Sequence, residues 1–229
     1  MSFLENKSKK DYSEFKEFIS GFTVNTIPQN SEQYIRLIHK NLFKIHFFKH
    51  CAKIQDIYLT ETISDILSFA FLSRIGTHKA SMVVLRSSIE NYMRSIVNRY
   101  LKKNEIIHST MVLPLFEETK KYFQAHDNIV KHINKLYSIY SYLCSYSHSA
   151  TRDFHESHIV FQDLTKISFS EIQKASKECE KTIQSMLYIL YYLYYLIDNN
   201  DSSFVHNQHR NEFIELLPDE ILSLLTQPI

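Results

Sequence analysis

Glycine is nearly missing from this chain, with 2 in 229 residues, and it has only 4 prolines and no tryptophan. Few positions can therefore adopt positive φ without steric cost, and tight turns are correspondingly rare, which argues against an all-β fold. The same scarcity excludes phosphate-cradling glycine loops. Neither G-x-G-x-x-G nor G-x-x-x-x-G-K-[ST] occurs, so the usual dinucleotide and nucleoside-triphosphate sites are excluded. Cysteine is also scarce. Cys51, Cys144 and Cys179 are odd in number and far apart, with no C-x-x-C pair, and read as reduced, buried thiols of a cytosolic protein.

Charge of one sign is not in excess either. The chain has 26 basic and 25 acidic side chains for a net charge of +1, so only a local patch could attract a polyanion. No apolar run is long enough for a membrane. The longest, Ile183 to Ile197 (IQSMLYILYYLYYLI), falls short of the ~18 to 20 residues needed to span a bilayer, and tyrosines interrupt it. It reads as a buried helix. The start, MSFLENKSKKDYSEF, has no apolar h-region, so no secretory signal is expected. The expectation is a soluble, cytoplasmic protein without a membrane partner.

What is present is helical periodicity. Hydrophobic residues make up 44% and charged residues 22%, the balance of a globular chain with one principal core. Residues 1–30 read as an N-terminal extension, frayed over the first ten and carrying a short helix from Asp11 to Phe22, closed by Gly21 and a turn at Pro28. Residues 31–200 read as the bundle. Ser31 caps a helix to about Cys51, striped by Tyr34, Ile35, Ile38, Leu42, Ile45 and Phe48. A second runs from Ile54 to Ile75, ended by Gly76 as a C-cap. A third spans Thr77 to Lys102, with Met82, Leu85, Ile89, Tyr92, Met93, Ile96 and Tyr100 on its apolar face.

A short helix from Leu115 to Phe123 and a long one from Asn128 to Ala150 follow. Thr151 to Ser168 reads as a connecting loop, and the last long helix runs from Ser170 to Asp198. Residues 201–229 form a tail of two amphipathic segments, His209 to Leu217 and Asp219 to Leu225, on either side of Pro218. The fold class is all-α: an up-and-down bundle of four or five long helices with short peripheral ones.

Two segments carry chemistry. In RIGTHKASMVVLRSSIENYMRSI, Arg86 and Glu90 are four apart on one helical face, flanked by Ser87 and Ser88. Small residues admit a neighbouring helix closely, leaving the pair partly dry and Arg86 in need of a carboxylate or phosphate. The competing reading is a plain exposed intrahelical pair. In YSIYSYLCSYSHSATRDFHESH, His148 stands at a helix end that favours its protonated form, followed by Arg152, Asp153, His155 and His158.

These stretches, LRSSIENYMR (Leu85 to Arg94) and YSYLCSYSHSA (Tyr140 to Ala150), resemble the HEPN-like helical domains of bacteria over roughly residues 55 to 198. The family signature of Arg, a polar residue, a short spacer and His is matched by Arg152-Asp153-Phe154-His155-Glu156-Ser157-His158. In the family it stands at the start of a helix facing a dimer partner, whereas here it falls in the loop. His148 with Arg86 and Glu90 is therefore a rival constellation. The resemblance implies RNA cleavage with no metal and no cofactor by a homodimer. It also implies a role as a toxin or antiviral, abortive-infection effector with an antitoxin or defence-system partner.

Histidine titrates near neutrality and can shuttle a proton, and arginine offers phosphate a planar fork of donors. His158 or His148 is the expected acid/base and Arg152 the phosphate clamp. Arg86, Glu90 and Asp153 are expected to orient them. Tyr137, Tyr140, Tyr142 and Tyr146 either stack unpaired bases or belong to the core. Other groupings are weaker. His46 and His50, or His155 and His158 with Asp153, have metal-compatible spacing. Cys144 and His148 form a conceivable thiolate–imidazole dyad, and Arg94, Arg99, Lys102 and Lys103 a basic run. Each has a plainer structural reading. The alternative function is a non-catalytic helical interaction or oligomerisation module of the same ancestry.

Overall fold

The tightest turn of the bundle uses one of the two glycines. Gly76 takes a φ of 88° and joins α3 (Ile57–Arg74) to α4 (His78–Ile96) as an antiparallel hairpin. The structure, a computed structural model, describes residues 3–21, 30–148 and 168–197. Lys53 and Lys102 also adopt left-handed φ values, 49° and 54°. Each costs about 1 kcal/mol that a glycine would avoid. That is a direct consequence of so glycine-poor a chain.

Five long helices form a closed ring. α2 (Glu32–Cys51) packs on α3, α3 on α4, α4 on α7 (Asp127–His148), α7 on α8 (Phe169–Tyr191), and α8 back on α2. α2 and α8 run the same way, since Gln173 near the start of α8 donates to the Tyr34 hydroxyl near the start of α2 at 2.7 Å. α1 (Phe3–Ser20) lies against α2. α5 (Asn104–Ile107) and α6 (Leu113–Tyr122) close the opposite end, and α6 carries Pro114 in its first turn, where a missing N–H costs least. Among the described residues there is no strand, and none of the helices is long and apolar enough to cross a membrane.

One principal core fills the ring. Tyr92, Phe48, Phe69, Phe116, Ile38, Ile45, Met82 and Leu85 are all buried there, and the segment from Ile183 to Tyr194 contributes its buried face. A small second cluster of Tyr12, Ile35 and Ile172, with Phe15 against it, fixes α1. That anchoring corrects the sequence expectation at the N-terminus. Residues from Phe3 are helical and not frayed, because Tyr12 and Phe15 hold the polar turns before them.

Other boundaries move for local reasons. α3 starts at Ile57, not Ile54, because the Asp56 side chain accepts from the Leu59 N–H at 2.8 Å. The α-helical part of α4 stops at Ile96, and Val97–Leu101 widens into a π-helical turn; Tyr192–Ile197 does the same after α8. Ser31 precedes α2, but its hydroxyl makes no capping bond. The tail segments from His209 to Leu217 and from Asp219 to Leu225 lie outside the described residues, as does Thr151 to Ile167.

His39 gives the α1–α2 contact a pH dependence. Its ring is buried against Tyr12 and Phe15, with Nε2 2.9 Å from the exposed carboxylate of Asp11. Burial pushes its pKa below the ordinary 6.5, against the opposing pull of the Asp11 hydrogen bond and charge. A depressed folded value means the unfolded chain binds the proton more readily. The stabilisation is therefore complete above the unfolded value and is lost as pH falls through the folded one. Urea unfolding at about pH 7.5 and about pH 5.5 is expected to show this loss in the wild type and less of it in His39→Gln. His46 is shifted in the same direction, chiefly by burial, so His46→Gln separates its share. An unchanged slope in His39→Gln refutes the assignment.

Candidate functional site

Arg86, Glu90 and Arg94 stand one turn apart along α4, at the spacing that stacks side chains on one face. Glu90 lies between two guanidinium groups, with Oε1 3.2 Å from Arg86 Nε and Oε2 3.7 Å from Arg94 Nη1. The side chains are 25%, 16% and 17% exposed for Arg86, Glu90 and Arg94, too dry for a solvated surface pair and too wet for a sealed one. Arg86 Nη1 crosses to α7 and donates to Ser147 Oγ at 2.7 Å. Its buried Nε faces Glu90 as an ion pair without hydrogen-bonding alignment. Arg94 donates through Nε to the Ile107 carbonyl at 3.1 Å, which ties α4 to α5.

The flanking serines do different things. Ser88 is buried, with its hydroxyl turned back to the Leu85 carbonyl at 2.7 Å. Ser87 faces α3 and, with the Asn91 amide at 2.9 Å, binds the Asp65 carboxylate. Burial raises Asp65 above the usual carboxylate range despite those donors.

Tyr140 on α7 completes the group. Burial raises its hydroxyl pKa well above the ordinary value, helped by a hydrogen bond with Cys144 and the Glu90 charge, while Arg86 acts the other way. Tyr140 therefore stays protonated at neutral pH and can donate. Cys144 is half-buried, less covered than its sequence context suggests, because it borders this polar seam; Cys51 and Cys179 are buried, and all three are free thiols.

The α4–α7 seam thus brings together Arg86, Glu90 and Tyr140 with Ser147, the residue before His148. His148 is the last described residue of α7, and its side chain, like the whole of Arg152, Asp153, His155 and His158, lies outside the described residues. The last described turn of α7 and the start of α8 lie on the end where Gly76 turns α3 into α4.

A second polar cluster at that end was not singled out from the sequence. The Tyr146 hydroxyl lies 3.4 Å from His78 Nε2 and 3.1 Å from the Tyr142 hydroxyl, the two tyrosine rings being perpendicular. Burial pushes Tyr146 up to about 12. The Lys174 ammonium sits 5.4 and 5.5 Å from the Tyr142 and Tyr146 ring centres. Burial works to lower Lys174, but hydrogen bonds to both hydroxyls outweigh it, and its pKa is raised above the usual lysine value. The i, i+4 pair of tyrosines was legible, but their partners come from two other helices.

The competing groupings whose side chains are described have structural roles; the His155–His158–Asp153 group and the His148 half of the Cys144–His148 dyad lie outside the described residues. Tyr137 and Tyr140 pack on Phe116 at 5.2 and 5.7 Å between ring centres. In the basic run, Arg94 is held as above, Arg99 lies 4.1 Å over the Tyr194 ring, and Lys103 pairs with Glu118. His46 and His50 keep much of their surface open on α2, although the His46 ring is partly desolvated, and no group of three or more metal-ligating side chains occurs among the described residues.

No protein-family model matches the chain, and neither a curated protein nor a solved structure matches it.

Proposed function

We propose that the protein is a metal-independent endoribonuclease of HEPN type, acting as a homodimer, with a toxin or antiviral role held in check by a partner protein. The observation that carries this reading is the 2.7 Å bond from Arg86 to Ser147. It fixes the last turn of α7, and with it the backbone that presents His148, to a guanidinium already held by Glu90. In the reaction, a histidine takes the proton of the RNA 2′-hydroxyl as that oxygen attacks phosphorus. A second acid returns a proton to the departing 5′-oxygen, leaving a cyclic phosphate and a 5′-hydroxyl. His148 or His158 fills the acid/base role, Arg152 holds the phosphate oxygens, and Arg86 with Glu90 orients the helix end.

Total RNA incubated in EDTA with wild type, His148→Ala and His158→Ala tests this. The variant lacking the acid/base is expected to lose about 10²- to 10⁴-fold in rate. Intact RNA in all three incubations sinks the proposal.

A second reading has its own observation. α3 exposes Ile57 at 68% and Leu67 at 50% on a chain of net charge +1, which suits a helical module that binds protein. That reading gains if the RNA assay is silent.

A further inference from the structure

Beside the seam, α7 and α8 enclose an open groove of about 370 Å³, lined by Lys135, Ser138, Ile139 and Tyr142 on α7 and by Glu178 and Lys181 on α8. Its size is that of a small-ligand site. We infer that this groove holds a single-stranded RNA segment and leads it toward the end of α7. The inference rests on the ribonuclease reading and names where its substrate lies.

Three features favour this occupant. First, charge is locally uneven in a chain that is nearly neutral overall. Lys135 and Lys181 line opposite walls, and Lys174 stands one turn before Glu178 on the same helix, against the single carboxylate of Glu178. Glu178 is paired with Lys181 at 2.8 Å, which leaves the groove with a surplus of positive charge. Second, the groove ends on a half-buried aromatic ring. Tyr142 is fixed by its hydroxyl contact to Tyr146 and by the neighbouring Lys174 ammonium, so its ring is a preset platform and not a mobile side chain. Aromatic platforms between cations accept unpaired bases regardless of sequence. Third, the direction is right. From Lys135 to Tyr146 the helix rises about 16 Å, and Tyr146 lies in the same last turn that carries Ser147 and His148.

Phosphates on the lysines and a base on Tyr142 would engage three of the six lining residues, Lys135, Lys181 and Tyr142. An acidic peptide would satisfy the lysines and leave the ring unused. Duplex RNA, whose bases are already stacked, would gain nothing from Tyr142.

The test is fluorescence anisotropy with a short labelled single-stranded RNA whose 2′-hydroxyls are methylated, so that it cannot be cut, at several salt concentrations. The proteins are wild type, Lys135→Met/Lys181→Met, Tyr142→Leu, and Lys177→Met as a charge control exposed off the groove. Circular dichroism checks that each is folded. The double lysine variant is expected to bind several-fold more weakly. Its salt slope should be shallower by about 0.7 to 1.4, from roughly 0.7 per lost phosphate contact on a single strand, the lower figure applying where Lys181 stays with Glu178. Tyr142→Leu is expected to lose about five-fold or more with an unchanged slope, and Lys177→Met to match wild type.

Equal binding and slope in the double variant and wild type overturns the groove. So does equal affinity for duplex RNA, or full competition by polyglutamate. The two proposals fail separately. RNA that binds through the lysines without being cut removes the nuclease reading alone, whereas cutting that is indifferent to Lys135, Lys181 and Tyr142 removes the groove alone.

Discussion

Tyr92→Ala is expected to lower the free energy of unfolding by about 3 to 5 kcal/mol, the range for deleting a large buried aromatic. Tyr92 is fully buried, and its hydroxyl joins the two helices that face each other across the ring. It donates to the Met186 carbonyl on α8 at 2.8 Å and receives the Leu190 N–H. Burial, with the nearby Tyr100 and Tyr194, raises its pKa well above the ordinary value, so the hydroxyl remains a donor at every usable pH. Truncation removes one of the largest fully buried side chains and leaves a cavity in the core. Tyr92→Phe keeps the ring and loses only the bridge, at about 0.5 to 1.5 kcal/mol, because the Met186 carbonyl lies inside α8 and keeps its place in the helical ladder. Guanidinium unfolding of the two variants distinguishes packing from hydrogen bonding. If Tyr92→Phe costs as much as Tyr92→Ala, the hydroxyl dominates and the packing argument is wrong.

The same residue shows what periodicity can disclose. Tyr92 stands on the apolar stripe of its helix with Met82, Leu85, Ile89, Met93 and Ile96, which are all buried, while Tyr100 at the stripe's end is only partly covered. The stripe is a property of one helix and needs no partner to be read. The all-α bundle was legible for the same reason. Helix ends were less so. The π-helical turns at Val97–Leu101 and Tyr192–Ile197 follow from how the ends of α4 and α8 are held, with Arg99 over Tyr194. No window of sequence contains both sides of that contact. At the N-terminus, the mostly polar turns from Phe3 to Lys10 lack a stripe of their own, and what anchors them is the seating of Tyr12 and Phe15 on α2.

The candidate site divides along the same line. Arg86 and Glu90 were visible because both lie on one helix at i, i+4. Arg94 has that spacing too, but its neighbours Arg99, Lys102 and Lys103 make it look like part of a basic run. Ser147 gives no signal at all. A serine near a helix end is unremarked until a guanidinium from another helix reaches it. The His78–Tyr146–Tyr142–Lys174 cluster draws on three helices and was beyond reading one segment at a time.

On the ribonuclease reading proposed above, Arg86 acts on cleavage by positioning and not by contact, because Ser147 precedes His148. Arg86→Lys is expected to reduce kcat by about 100-fold, the scale of a misplacement of about 1 Å at a reacting group, with KM little changed. Lysine keeps the charge, but a single ammonium cannot face Glu90 and reach Ser147 with the geometry of a planar fork. Ser147→Ala cuts the same link from the other side and is expected to lower kcat similarly. The double variant should be hardly worse than either single one, because both remove one interaction. Glu90→Gln supplies the electrostatic contrast. It keeps the shape while withdrawing the charge between Arg86 and Arg94, and it should reduce kcat less than Arg86→Lys while the Arg86–Ser147 bond persists. A general loss of structure would move KM and melting temperature together and make the Arg86 and Ser147 effects additive. Additive losses, or an Arg86→Lys variant as fast as wild type, would remove Arg86 from the catalytic geometry and leave the seam as a helix-to-helix fastening.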